Sequence, residues 1–248
     1  MPLSTLKKNS KWEISDAKAN KQGFRNTIYQ VNGDEYRGEW KDNKRHGKLK
    51  IGQLVIHAGR GTYKWKKTGV LYEGDWENGV RSGSGVLSVL SSSGRQVKVY
   101  SGQWKHDKRQ GFGQNWYSES EIYEGEWCSD KRWGWGRMFY ADGSIYEGQW
   151  ENDRRNGDGM LRLPNENRFE GQWVNDKKNG RGKYFFLGTG QLMEGIWVND
   201  IPKCCQMVDL GRELAPEPTQ FEIPEIKLED PNGVLRETQE QLTELLPK

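Results

Sequence analysis

The sequence predicts an all-β protein, an elongated single-layer antiparallel sheet of stacked β-hairpins. Three observations predict it. A Tyr-x-Gly-x-Trp element recurs from Tyr36, Tyr72, Tyr100, Tyr123 and Tyr146, and from Phe169 and Met193 with the first residue changed, at spacings of 36, 28, 23, 23, 23 and 24 residues. A Gly-x-Gly element follows most copies, as Gly157-Asp158-Gly159 follows Tyr146-Glu147-Gly148-Gln149-Trp150. The 248 residues include 31 Gly, 12 Trp and 10 Tyr, so aromatic rings replace most of an aliphatic core. Looking for an internal period first exposes this architecture.

Tyr, Gly and Trp at i, i+2 and i+4 share one face of an extended strand, while Glu73 and Asp75, Glu124 and Glu126, and Glu147 and Gln149 alternate with them and are expected to face water. The polar run Glu151 to Asn156 is a turn that leads to Gly157-Asp158-Gly159 and a second short strand, Met160 to Leu163. Glycine between large aromatics leaves bare backbone over which a ring can lie. One hairpin cannot bury such rings, but a row can. Seven hairpins give about 14 short strands, roughly 65 Å of sheet at ~4.8 Å per strand.

Residues 1–35 read as a degenerate cap around Trp12, Gly23 and Tyr29, residues 36–208 as the array, and residues 209–248 as an acidic tail. Residues 49–60 exceed the repeat and are expected to form a protruding loop or extra ladder. Removing them restores a pair from Gly47 and Gly61, and Gly59-Arg60-Gly61 is an alternative pair. The unit opened by Tyr72 is lengthened by Ser88 to Val99, an extended hairpin. The last unit has Pro202, Cys204 and Cys205 near its Gly-x-Gly place, so the sheet is expected to end there. The tail has ten acidic and four basic residues, a net charge of −6, which leaves +9 on residues 1–208. Phe221, Ile223, Ile226 and Leu228 suggest an extended segment around Pro224, and Asp230-Pro231 begins a helix to Leu246 with Leu235, Leu242 and Leu246 on one side. The tail either folds back over one face of the sheet or binds another chain.

The motif Y-E-G-x-W followed by G-x-G, as in Tyr146 to Gly159, resembles the MORN (membrane occupation and recognition nexus) repeat from about Tyr36 to Asn199. The resemblance implies a non-catalytic scaffold or peptide-binding surface. Similar members occur in cilia, flagella and sperm, the acrosome included, and others lie at membrane junctions.

Little in the chain suggests catalysis. His46 and His106 fall in corresponding polar turns, His57 falls in the insertion, and none has zinc-ligand spacing. The recurring glutamates have near-equal environments, whereas catalytic carboxyl pairs need unequal ones. The Gly-x-Gly pairs lack a phosphate-loop context. No cofactor and no nucleic acid are expected. Cys128, Cys204 and Cys205 form no disulfide framework, and the N-terminus has no apolar signal core, so a cytoplasmic setting is the simplest reading.

Two candidate binding features remain. Tyr36, Trp40, Tyr72, Trp76, Tyr100, Trp104, Tyr123, Trp127, Tyr146, Trp150, Phe169, Trp173 and Trp197 form an aromatic row, which either packs on itself or lines a groove for an extended or helical peptide of a protein partner. Lys44-Arg45, Lys108-Arg109, Lys131-Arg132, Arg154-Arg155 and Lys177-Lys178 would align as a basic ridge, either a solvated edge or a site for anionic lipid or acidic protein. Oligomeric state is not legible.

Overall fold

The repeating unit folds as two strands joined by a two-residue turn. In the hairpin of Ile122–Cys128 and Lys131–Phe139, Ser129 and Asp130 have φ of 51° and 71°. The turns Asn152-Asp153, Asn175-Asp176 and Asn199-Asp200 repeat those angles within 2°. Two successive positive φ values mark the turn whose twist matches paired strands, and Asn and Asp tolerate that conformation better than other side chains.

The structure, a computed structural model, describes residues 18–47, 49–51, 54–56, 60–217 and 230–245. Its strands are β1 (Gly23–Tyr29), β2 (Glu35–Lys41), β3 (Lys44–Arg45), β4 (Leu49–Ile51), β5 (Leu54–Ile56), β6 (Arg60–Lys64), β7 (Leu71–Glu77), β8 (Val80–Leu90) and β9 (Gln96–Lys105). They continue as β10 (Lys108–Trp116), β11 (Ile122–Cys128), β12 (Lys131–Phe139), β13 (Ile145–Glu151), β14 (Arg154–Arg162), β15 (Arg168–Val174), β16 (Lys177–Phe186), β17 (Gln191–Val198) and β18 (Ile201–Asp209). Helix α1 (Pro231–Leu245) follows. Sixteen strands form one antiparallel sheet in the order β1-β2-β6-β7 and then consecutively to β18, with β3 beside β2. This is the single-layer all-β array that the repeat predicts. Packing divides the chain into two units, Met1–Gly111 and Phe112–Lys248.

In the first unit, the insertion interrupts a return strand. Gly47 donates its amide to Trp76 O, and Gly61 pairs with Gly74. Thus β3 and β6 are the two halves of one return strand, with Gly47 and Gly61 as its glycine pair. The extra residues form a separate ladder, β4 with β5. At the start, β1 pairs with β2 through Gly23 opposite Trp40, the register that Gly134 and Trp150 take later in the chain. The expected cap residue Trp12 lies outside the described residues. His46 is half-buried past the turn rather than in solvent within it, and His57 is also outside. The lengthened hairpin β8–β9 closes through Ser91 and Arg95 as expected.

In the second unit, the sheet ends as expected with the strand that carries Pro202, and that strand, β18, runs on past the proline to Asp209. Strand β18 pairs with β17 from Ile201 to Asp209, and the proline sits opposite Trp197 at a register shift. An edge strand at an irregular position tolerates the missing donor. Asp230 Oδ1 caps α1 by accepting from Gly233 N at 2.8 Å. The helix packs on β17 and β18 with Thr238 buried, Thr238 Oγ1 standing 3.9 Å from Cys204 Sγ. Cys204 pairs with Ile196, whose side chain points away from the face of its neighbour Trp197. The tail helix therefore covers the end of the face opposite the aromatic row, through Thr238 and not through an all-leucine side, since Leu235 stays exposed. Leu246 and the predicted extended segment at 221–228 lie outside the described residues.

Candidate functional site

The aromatic row is built by one local device repeated. Between β11 and β12 the register shifts: Gly125 pairs with Gly136 but Trp127 pairs with Arg132, so Glu126 of β11 faces Trp133, Gly134 and Trp135, and the bulge lies on the return strand β12. The bulge takes Glu126 O out of the ladder, and Tyr123 Oη donates to it at 3.0 Å. The same bond recurs from Tyr36, Tyr72, Tyr100 and Tyr146 to the carbonyl three residues on. For the hydroxyl to reach, the ring must lie flat over two glycines. A Cβ on Gly136 would stand 2.3 Å from Tyr123 Oη and 2.6 Å from Cζ. The glycine before it has a different task, since Gly134 has a φ of 66°.

Each tyrosine ring then stands edge-on between two tryptophans. Tyr123 is 5.1 Å from Trp127 and 5.4 Å from Trp150, at interplanar angles of 87° and 86°. Tyr146 repeats this with Trp150 and Trp173, as Tyr72 does with Trp76 and Trp104. Each such pair adds about 0.5–1.5 kcal/mol to ring burial. The indole Nε1 of Trp76, Trp104, Trp127, Trp150 and Trp173 donates to a glycine carbonyl of the preceding repeat, Gly61, Gly85, Gly113, Gly136 and Gly159. The end members differ, because Nε1 of Trp40 and of Trp197 is buried without a partner.

Consequently the predicted groove residues are all inside. Tyr36, Tyr72, Tyr123 and Tyr146 have no exposed surface, and Trp40, the most open of the row, is 8% exposed. Tyr100, Phe169, Trp76, Trp104, Trp127, Trp150, Trp173 and Trp197 are buried too. Rings so enclosed offer a partner almost no area. Burial also raises the phenol pKa of Tyr36, Tyr72, Tyr123 and Tyr146, so their hydroxyls stay protonated donors.

The basic pairs separate into two roles. The second members turn inward. The Arg132 guanidinium lies 4.2 Å from the Trp150 ring, its Nε reaches Asp153 Oδ1 at 3.3 Å, and its Nη2 donates to Asp153 O at 2.7 Å. Arg155 does the same to Trp173 and Asp176. Arg45 covers Trp76 and bonds Gly79 O, Lys178 stands over Trp197, and Arg109 stands over Tyr100. Burial lowers the pKa of Lys178, against an upward pull from Asp200. The first members, Lys44, Lys108, Lys131, Arg154 and Lys177, are exposed. What reads as one ridge in sequence is thus a row of inter-repeat clamps beside a row of exposed cations, two of which, Lys131 and Arg154, also donate to the Asn152 and Asn175 side chains of the next turn.

The opposite face also departs from its polar expectation. Asp75 is buried, with Oδ2 accepting from Ser84 N, because the positive φ of Gly83 brings that amide beneath it. Gln149 Oε1 and Gln172 Oε1 accept in the same way from Asp158 N and Arg181 N, and Glu126 Oε1 from Trp135 N. Among these polar side chains stand exposed rings that lie outside the repeat register, Phe112 at 53%, Trp135 at 51% and Trp133 at 42%. The out-of-register tryptophans were a signal for them, since seven of the 12 are consumed by the repeat. Further along that face, Glu170, Arg181, Lys183, Glu194, Ile196 and Cys204 line an open recess of about 610 Å³. Among the described residues no group of three or more His, Cys, Asp or Glu is placed to hold a metal ion.

A Tyr-x-Gly-x-Trp strand, a two-residue turn and a bulged Gly-x-Gly return strand, stacked in series, define a MORN-type repeat array. A family model described as MORN repeat matches residues 36–48, 72–88, 100–114, 123–145, 146–168 and 169–186. MORN repeat-containing protein 3 of Xenopus laevis is 62% identical over 245 residues, 98% of each chain. The Homo sapiens protein of that name is 52% identical over 240 residues, 96% of this chain and 95% of the relative. The Mus musculus one is 50% identical over 232 residues, 93% and 91%. The chain belongs to the MORN repeat-containing protein 3 family.

Proposed function

We propose that this repeat scaffold is non-catalytic and that it docks a segment of a protein partner on the face opposite the aromatic row. The observation that carries the reading is the division of labour among the rings. Those in register are enclosed by the array itself, while Phe112, Trp133 and Trp135 stay in solvent on a surface where other repeats carry polar residues. Exposed aromatics rimmed by polar groups are where interface energy concentrates. Helix α1, seated on β17 and β18, is an intramolecular example of a helical segment held by that face. Ciliary, flagellar or sperm assemblies, the acrosome included, are the setting we propose from the family resemblance.

Site-directed photocrosslinking tests the face. A photoreactive phenylalanine derivative replacing Gln149 on the docking face should give a protein adduct in a ciliated-tissue or testis lysate. The same group replacing Lys177 at a turn should give little. Adducts from the turn and none from position 149 would overturn the reading.

A second reading, a peripheral adaptor on anionic phospholipid, draws support from the exposure of Lys108, Lys131, Arg154 and Lys177. It asks of the clamps only that they hold the turns in line.

A further inference from the structure

We infer that Phe112, Glu126 and Trp135 form a site for a cationic side chain, a lysine or arginine carried by the partner's docking segment. The inference rests on the docking reading above and names the chemistry of what docks.

Phe112 on β10 and Trp135 on β12 occupy the same place in their hairpins. Each follows a glycine of positive φ, Gly111 at 70° and Gly134 at 66°. Each also precedes a glycine whose carbonyl accepts from a tryptophan of the next repeat. The corresponding residues elsewhere are Arg60, Ser84, Asp158 and Arg181, and those repeats keep the same register. The fold therefore does not require an aromatic residue there, yet two consecutive repeats carry one, and both stand about half exposed in water.

Strand β11 lies between them in the sheet order. Two strand spacings put the rings' attachment points about 10 Å apart. A cation between the rings would be roughly 5 Å from each, inside the ~6 Å range of cation–π attraction. Beneath that gap, β11 supplies Glu126. Its Oε1 takes the Trp135 amide at 3.1 Å, and no hydrogen bond to its Oε2 occurs among the described residues. Gln149 and Gln172 accept the equivalent amide without a charge, so the carboxylate at 126 is not needed for the bond. Glu124 adds a second acid on the same strand face. The nearby cation, Arg137, is committed to Glu147 by two hydrogen bonds at 3.0 and 2.7 Å. Two rings and an excess of carboxylate, with Glu124, Glu126 and Glu147 set against Arg137, select a basic side chain over a neutral or acidic one.

The repeats themselves supply substitutions compatible with the fold. Trp135→Asp and Phe112→Ser install residues that Asp158 and Ser84 already show to be accepted, and Glu126→Gln installs the residue found at 149 and 172. The full chain is panned against a phage library of random linear 16-residue peptides, and recovered peptides are titrated against the wild type and the three variants. The expected result is peptides sharing at least one Lys or Arg, bound about tenfold or more weakly by Trp135→Asp and Phe112→Ser. Glu126→Gln should weaken them about fivefold to tenfold, and replacing the peptide's cation by Gln should weaken the wild type equally. Recovered peptides with no shared basic residue, still lost on Trp135→Asp, would overturn the cation site and leave the docking face standing. Peptides indifferent to Trp135→Asp and Phe112→Ser, or no enrichment at all, would overturn both.

Discussion

The hairpins β11–β12 and β13–β14 share a backbone and differ in what they show to solvent. Both have the bulge on the return strand, the turn with two positive φ values and an arginine clamped to the next turn. Inward, Tyr123, Trp127, Gly134 and Gly136 match Tyr146, Trp150, Gly157 and Gly159. Outward, Trp133 and Trp135 stand where the second hairpin has Asn156 and Asp158. Inward positions are dictated because each ring meets two glycines and two other rings. Outward positions meet water, so they are open to a task other than folding.

The largest expected effect comes from breaking the inward match. Gly136→Ala drives a methyl into a ring held on all sides, and should lower stability by about 3 kcal/mol, a fall in melting temperature of ~5–10 °C. Trp135→Asp, one residue away, should stay within about 0.5 kcal/mol. Differential scanning calorimetry of the two variants checks the contrast, and equal losses would erase the distinction between faces.

A smaller effect separates the two members of a basic pair. Arg155→Ala removes a ring contact and the grip on Asp176, and should cost about 1–2 kcal/mol in a urea titration. Arg154→Ala should cost less than about 0.5 kcal/mol. Where the anionic-lipid reading holds, Arg154→Ala also reduces co-sedimentation with phosphatidylserine vesicles at low salt. Vesicles ignored by the wild type at low salt would remove that reading.

Periodicity made the fold legible because the side chains that define it repeat. Tyr, Gly and Trp in one register gave the strand face. The polar run located the turn but overstated its length, since Arg154 to Asn156 already belong to β14 and only Asn152 and Asp153 make the turn. Less legible were features that depend on backbone geometry. The bulge of β12 opposite Glu126, the reason Tyr123 donates to Glu126 O, leaves no mark on residue alternation, and neither does the positive φ of Gly83 that draws Asp75 inward. The interruption of a return strand between Gly47 and Arg60 was visible as excess length, but which glycines paired around it required the Gly47 bond to Trp76 O. For the site, the repeat drew attention to the conspicuous rings, which are the enclosed ones. The exposed Trp133 and Trp135 stood beside them in Arg132-Trp133-Gly134-Trp135-Gly136, outside the period.

The central claim is that the rings in register are structural and that the out-of-register rings Phe112, Trp133 and Trp135 are available. Amide and indole hydrogen exchange followed by NMR on the full chain reads both classes at once. The indole Nε1–H groups of Trp76, Trp104, Trp127, Trp150 and Trp173, each bonded to a glycine carbonyl, should exchange slowly. Those of Trp133 and Trp135 should exchange at nearly the rate of free indole and should shift when a docking peptide is added. Fast exchange at Trp127 and Trp150, with peptide-induced shifts at those two and none at Trp135, would contradict the account.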